Sequence, residues 1–323
     1  MTDGPLVVIG DALLDRDVRG RATRLCPDAP APVLDEIDER ERPGGAALAA
    51  VFASIGNRET VLVTHLSNDT AGRRLATLIE SFGVRLISLP MAGSTTEKVR
   101  FLAGPHVLLR WDRGDPPPPY SAALPENVTA AIGQAAAILV SDYGRGLTRS
   151  KALREALTRQ AHETPLVWDP HPRGSAPVAG SFLVTPNSQE LLQLDPAGAS
   201  GDERDLPRIT SCAAAARDRW KVDGVAVTLG ERGAVLCEGA SQSLLVPAPP
   251  IQARDACGAG DYFAATVARA AADGEKAAKA VFAGVSAAYA YVEADGPRDI
   301  ANYSVGESGG GNDQTGPAKE RQW

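Results

Sequence analysis

Short apolar runs that end on a glycine or an acid recur along the chain, and stretches of helical period separate them. Leu6-Val7-Val8-Ile9-Gly10 is the first. It is β-branched and too continuously apolar to have a wet face, so it reads as a strand buried on both sides. Residues 60–65, 84–89, 137–141, 166–169 and 224–229 have the same character. Between them, residues 46–55, 70–82, 125–136, 151–162 and 206–220 carry helix signals, such as Gly83 as a C-cap and Pro125 near a first turn. Strands alternating with helices bury two faces in a mostly parallel sheet covered on both sides, which makes the chain α/β. Ligands of such sheets gather at the C-terminal strand ends, where Asp11, Asp15, Asp142 and Asp169 fall.

Two segments break the alternation. Residues 16–42 are charged and dotted with proline, with 32–37 as a candidate edge strand. Residues 95–102 and 107–112 read as two strands joined through Gly104-Pro105-His106. Pro116 to Pro119 form a stiff connector, and residues 304–323 are polar and glycine-rich enough to predict a disordered tail. With 323 residues the chain has room for one large α/β domain or two small ones. A net charge of −7 argues against a broad nucleic-acid surface. The four cysteines lack metal spacing and read as reduced thiols. The N-terminus lacks a secretory pattern, and the apolar runs are too short or interrupted to span a membrane, so a cytoplasmic location is expected.

The stretch Arg254-Asp255-Ala256-Cys257-Gly258-Ala259-Gly260-Asp261-Tyr262-Phe263 carries the chemistry. Its glycine-rich turn leads into an apolar helical run, Phe263 to Ala272. The first turn of a helix leaves N–H groups unpaired, and together with the dipole they favour an anion. Gly258 and Gly260 have no Cβ, so a phosphate can come close to the backbone. A carboxylate beside a phosphate is unfavourable unless it accepts a proton from an attacking hydroxyl, the role open to Asp261. The residues therefore describe a phosphoryl-transfer centre, an oxyanion cradle at Gly258, Ala259 and Gly260 with a base inside it. They describe equally an ordinary tight loop whose first-turn acid suits the dipole. Cys257 reads as small filler or as a thiol whose pKa the helix end lowers.

Other candidates are plainer. Gly44-Gly45 before a helical run allow close approach of a ligand, or simply form a turn. Lys98, Arg100 and Arg110 alternate with apolar residues, so one strand face presents cations to an anion, or guards a sheet edge. Asn187 to Glu190 fits a capping box.

The pattern Asp255-x-x-Gly258-Ala259-Gly260-Asp261 resembles the signature of the ribokinase-like (PfkB) sugar kinases. Further motifs are similar to the kinase part of the bacterial heptose 7-phosphate kinases, which make heptose 1,7-bisphosphate on the ADP-heptose route. They are Gly10-Asp11-x-x-Leu14-Asp15-Arg16, Thr23 to Val33 with its Pro-Asp-Ala-Pro, and Arg42-Pro43-Gly44-Gly45. Thr96-x-Lys98-x-Arg100, Leu108-Leu109-Arg110-x-Asp112 and Ser141-Asp142-Tyr143-Gly144-Arg145-Gly146 complete the set.

The resemblance implies a three-layer α/β/α sandwich over residues 1–303, with a β lid from about 16–42 and 95–112. It implies Asp261 as catalytic base, with the Gly258-Ala259-Gly260 turn as anion hole. Asp15, Gly44, Gly45, Lys98, Arg100, Arg110, Asp142 and Arg145 would bind the acceptor. Asn187, Thr228, Gly230, Gly233, Asp255, Gly258, Gly260 and Ser286 would contact ATP. Asn187 and Glu190 would hold Mg²⁺ through water, and a monovalent cation is expected in addition.

The expected partners are a sugar phosphate and ATP, with a homodimer through the lid and neither nucleic acid nor membrane. Leu48 stands where the family usually has Asn, Arg145 where Lys is commoner, and Ser286-Ala287-Ala288 where Asn-x-Ala is frequent. No His-x-Gly-His occurs, so the nucleotidyl transfer of the bifunctional heptose enzymes is not expected. A kinase for another sugar or nucleoside, and a non-catalytic sugar or nucleotide sensor, are the competing readings.

Overall fold

The computed structural model describes residues 4–114, 123–195, 202–239, 242–251, 255–294 and 296. The proline run, Arg254 and the tail 304–323 lie outside them. β1 (Leu6–Gly10) leads directly into a long hairpin of β2 (Ala12–Leu25) and β3 (Pro32–Gly45). Then come α1 (Ala46–Ser54), β4 (Thr60–Leu66), α2 (Thr70–Ser81) and β5 (Arg85–Pro90). A second hairpin joins β6 (Glu97–Ala103) to β7 (His106–Arg113). The middle of the chain forms α3 (Glu126–Gln134), β8 (Ala137–Ser141), α4 (Lys151–Gln160) and β9 (Leu166–Asp169). β10 (Leu183–Val184), α5 (Ser188–Leu194), α6 (Leu206–Trp220) and β11 (Gly224–Thr228) follow. β12 (Ala234–Glu238), β13 (Gln242–Val246), α7 (Ala259–Ala272) and α8 (Ala277–Glu293) complete the order.

The main sheet runs β13-β12-β11-β10-β9-β8-β1-β4-β5. It is parallel from β5 to β11, and β12 and β13 are antiparallel additions at one edge. β1 sits inside it, and Leu6, Val7, Val8 and Ile9 are all fully buried. Leu6 and Val8 pack with α1, α2, α7 and α8, whereas Val7 and Ile9 pack with α3, α4, α5 and α6. Each such side chain contributes about 1.5–3 kcal/mol by leaving water. The layers are therefore helix, sheet, helix, with every strand end from β1, β8 and β9 opening on one rim. No helix among the described residues is long and apolar enough to cross a membrane.

A second sheet, ordered β3-β2-β6-β7, stands over that rim. Its hairpin β2–β3 extends well beyond the 32–37 edge strand that the sequence suggests. Apolar alternation is missing because both faces are largely polar, and paired charge replaces it. Arg16 binds Glu39 and Glu97, Arg42 binds Asp17, and Arg24 binds Asp35. β13 also has no counterpart in the sequence reading. Helix α7 begins at Ala259, four residues before the predicted run, because Gly258 turns the chain in the left-handed region at φ 88°.

Candidate active site

The glycine turn before α7 rests on the core. A Cβ at Gly258 would lie 2.9 Å from Leu48 Cδ2 and 2.9 Å from Tyr291 Oη, so only glycine fits there. Tyr291 donates to the carbonyl of Cys257 at 2.9 Å, and Phe52, Tyr262 and Tyr291 pack as a ring cluster. Leu48 is thus a buried support of the turn. The Ala259 N–H donates to the Ala256 carbonyl at 3.1 Å, which corrects its expected place in the anion hole. Among the described residues the N–H groups of Gly258, Gly260 and Asp261 make no such bond, and they form the open part of the cradle. Asp255 accepts from the Cys257 N–H at 2.9 Å and so shapes the turn.

Asp261 lies in the first turn of α7 and is buried. Its carboxylate meets the Tyr143 hydroxyl, which donates at 2.8 Å to Oδ1 and 2.9 Å to Oδ2. Burial pushes the carboxyl up to about 7; the Tyr143 bond and Lys98 pull it down, while Asp15 and Glu190 push it further up. That value suits a base working near neutral pH. Cys257 opens onto the same cleft, and a lowered thiol is not what the surroundings produce. Loss of water in the cleft, then the neighbouring Asp15 carboxylate, pushes it up to about 11, and the residue is exposed rather than packed as filler.

Opposite Asp261 lies the inner face of the lid. Cross-strand partners share a face. Arg42, Asp15, Lys98 and Asp112 form one row, and Arg40, Asp17, Arg100 and Arg110 the next. Asp15 sits over Gly44, where a Cβ would be 2.8 Å from its Oδ2, and Gly45 is the N-cap of α1 at φ 59°. Burial raises the Asp15 carboxyl to about 6, and Lys98 and Arg100 pull against it. Arg100 grips Asp17 and Arg110 grips Asp112, each through two nitrogens. Lys98 has no ion pair among the described residues, and its ammonium lies 5.1 Å from the centre of the Tyr143 ring.

Asp142 is a different matter from the acceptor contact expected of it. It is buried and accepts from Gly144 N–H, Thr148 Oγ1 and Ser175 N–H, so it braces its loop. Asp11 does the same for the N–H groups of Tyr143, Arg145 and Leu147. The Arg145 guanidinium reaches the Gly114 carbonyl at 3.4 Å. Tyr143, Asp17 and Arg42 were missed as site residues. For Tyr143 the available signal was an aromatic side chain between an acid and a glycine at a ligand-edge strand end.

On the other side of the turn lies a cavity of about 690 Å³. Gly260 and Ala259 form its rim beside Asn187, Thr228, Gly230 and Gly233, and Val285, Ala288, Tyr289 and Val292 of α8 form an apolar wall. Ser286 faces solvent and bonds the Phe282 carbonyl, which corrects its assignment to this site. An isolated bridge joins Asn187 to Thr228 and so brings the start of α5 to the end of β11. The capping box is present, with Asn187 and Glu190 exchanging bonds of 2.8 and 2.9 Å. Burial, then repulsion from Glu190 and Asp261, holds the Asp169 carboxyl well above its usual range, and burial raises Glu190 as well. Among the described residues no three metal-binding side chains converge.

Comparison with known proteins gives the geometry a lineage. The family described as pfkB family carbohydrate kinase matches residues 4–302. Bifunctional protein HldE of Streptomyces coelicolor is 47% identical over 292 residues, which is 90% of this chain and 61% of that protein. Bifunctional protein HldE of Pseudomonas aeruginosa is 31% identical over 282 residues, 86% of this chain and 57% of that one. The chain thus spans about 57–61% of the length of these relatives. Among solved structures, Arabidopsis thaliana ribokinase complexed with ribose and ATP superposes at a TM-score of 0.70 with 18% identity, covering 94% of this chain and 99% of that one. Escherichia coli phosphofructokinase-2 in complex with substrates and products gives 0.67 at 17% identity, over 94% and 100%. These two share the fold.

Proposed function

The chain belongs to the pfkB family of carbohydrate kinases, and from that membership we propose that it moves the γ-phosphoryl group of ATP to a phosphorylated sugar. The acceptor best supported is D-glycero-D-manno-heptose 7-phosphate, phosphorylated at its anomeric hydroxyl to the 1,7-bisphosphate. One observation carries the proposal. A buried carboxylate and open helix-end amides stand together between an apolar cavity and a cationic lid face.

ATP lies with its base against Val285, Ala288 and Val292 and its phosphates towards Gly260. The acceptor lies under the lid, with Asp15 on its hydroxyls and its phosphate near Lys98, Arg100 and Arg110. Asp261 takes the proton of the anomeric hydroxyl, whose oxygen bonds the γ-phosphorus as the bond to ADP breaks. The N–H groups of Gly258, Gly260 and Asp261 hold the charge on the moving group. The lid keeps water out. Asn187 and Glu190 would hold, through water, a magnesium ion carried in by the phosphates, next to Asp169, whose carboxyl burial and the neighbouring Glu190 raise. Magnesium there would draw charge from the phosphates. A monovalent cation is a further proposal, checked by the potassium dependence of turnover.

The test is a panel of phosphorylated and plain sugars assayed by ADP release, with Asp261→Asn alongside. Heptose 7-phosphate as best acceptor, and a loss of at least about a hundredfold in the variant, are expected. A second reading, another sugar as acceptor, draws on Leu48. Its apolar side chain is buried against Gly258 and offers no hydrogen bond to a sugar hydroxyl. A free hexose as best acceptor would favour it, and no ADP from any acceptor would leave a sensor.

A further inference from the structure

We propose that Tyr143 is the positioning residue of the base: its hydroxyl bridges the two oxygens of Asp261, holds the carboxylate in place and favours the ionised form, and Lys98 ties that arrangement to the lid. The proposal rests on the reading of Asp261 as base and goes beyond it.

The geometry is specific. One phenol hydroxyl donates at 2.8 and 2.9 Å to the two oxygens of the carboxylate, so it bridges both and fixes where the group sits relative to the loop after β8. The backbone beneath Tyr143 is held in turn. Its N–H donates to Asp11 at 3.1 Å, and the next N–H, that of Gly144, donates to Asp142 at 2.7 Å. Two buried acids that touch no ligand in the proposed mechanism thus acquire a purpose, which is to hold the loop that carries the phenol.

A hydrogen bond to a carboxylate is stronger than one to the neutral acid, so the phenol opposes the effect of burial. The groups that face Asp261 come from several elements. Tyr143 follows β8, Lys98 is on β6, Asp15 on β2, Glu190 on α5 and Asp169 on β9, while Cys257 is in the turn before α7. Of these, Tyr143 and Lys98 favour the charged carboxylate. Lys98 also lies over the Tyr143 ring, so a displaced lid removes one of these supports and loosens the other. During transfer the proton passes from the acceptor to Asp261. Tyr143 keeps its own, because burial and the surrounding acids hold its hydroxyl well above the usual phenol range.

The experiment is the pH profile of kcat/KM for Tyr143→Phe, which keeps the ring and loses the donor. The acidic limb should move up by about one unit or more, with roughly a tenfold loss at pH 6 and near recovery by pH 9. The KM for ATP should stay as in the native enzyme. A fluorotyrosine at position 143, a stronger donor of nearly the same shape, should move the limb down, and it covers the case in which the phenylalanine variant fails to fold. A loss equal at every pH, or a limb that neither change moves, overturns the proposal. Asp261→Asn separates the two ideas. Full activity in that variant refutes the base, whereas an inactive Asn variant with an immobile limb at position 143 refutes Tyr143 alone.

Discussion

Burial keeps the Asp261 carboxyl protonated up to about pH 7, whereas in the unfolded chain it ionises in the ordinary carboxylate range. The folded state therefore binds this proton more tightly. Its stabilising effect is complete below about pH 4 and is lost as pH rises to about 7. Asp261→Asn, which cannot ionise, should gain in melting temperature over the native chain across that window and keep the gain above it. A difference that does not change between pH 4 and 8 would contradict the assignment. Gly44 gives a second test at this scale. A Cβ there would press to 2.4 Å from Leu13 Cδ1 and 2.8 Å from the Asp15 carboxylate. Gly44→Ala should raise the acceptor KM by about tenfold to a hundredfold and leave that for ATP alone.

Among the elements, the lid sheet lacks a core of its own and is held by charge. Asp17 is buried between Arg42 and Arg100 and accepts from both. Removing it strands two guanidinium groups in a poorly solvated place, a change that costs several kcal/mol when buried pairs are broken one-sidedly. Asp17→Ala should speed hydrogen exchange in β2, β3 and β6 by roughly a hundredfold and leave β1, β4 and β8 as they are. Equal acceleration in both sheets would show that the lid is not a separate unit of stability.

For the molecule as a whole, the lid has a second face. Val99 with Trp111, and Phe101 with Leu109, form apolar pairs turned away from the cleft, and Leu109 and Trp111 are 58% and 49% exposed. Apolar surface of this kind on an edge hairpin is suited to pairing with another copy. The proposed homodimer predicts that the native chain sediments as a dimer in the micromolar range and that Leu109→Glu with Trp111→Glu gives a monomer. A native monomer would remove this partner and leave the active-site proposal intact.

Much of this protein could be read before any coordinates. Continuous β-branched runs such as 6–10 and 137–140 have one low-energy solution, a strand covered on both sides, because either face in water would cost too much. The glycines and Asp261 of the α7 turn were legible for a similar reason, since the backbone N–H groups of a helix start are local chemistry. What only the tertiary structure decided is which charged group meets which. Asp15 and Asp142 look alike in the chain, yet one faces the lid cations and the other is used up by two donors of its own loop and one from the segment after β9. Ser286 and Ala288 lie two residues apart, and the twist of α8 alone puts one in solvent and the other on the cavity wall. Tyr143 and Asp261 are 118 positions apart and meet because β8 and α7 pack across the same rim. Covalent neighbours dictate local conformation, but a hydrogen bond between distant side chains exists only once burial has brought them together and taken the water away.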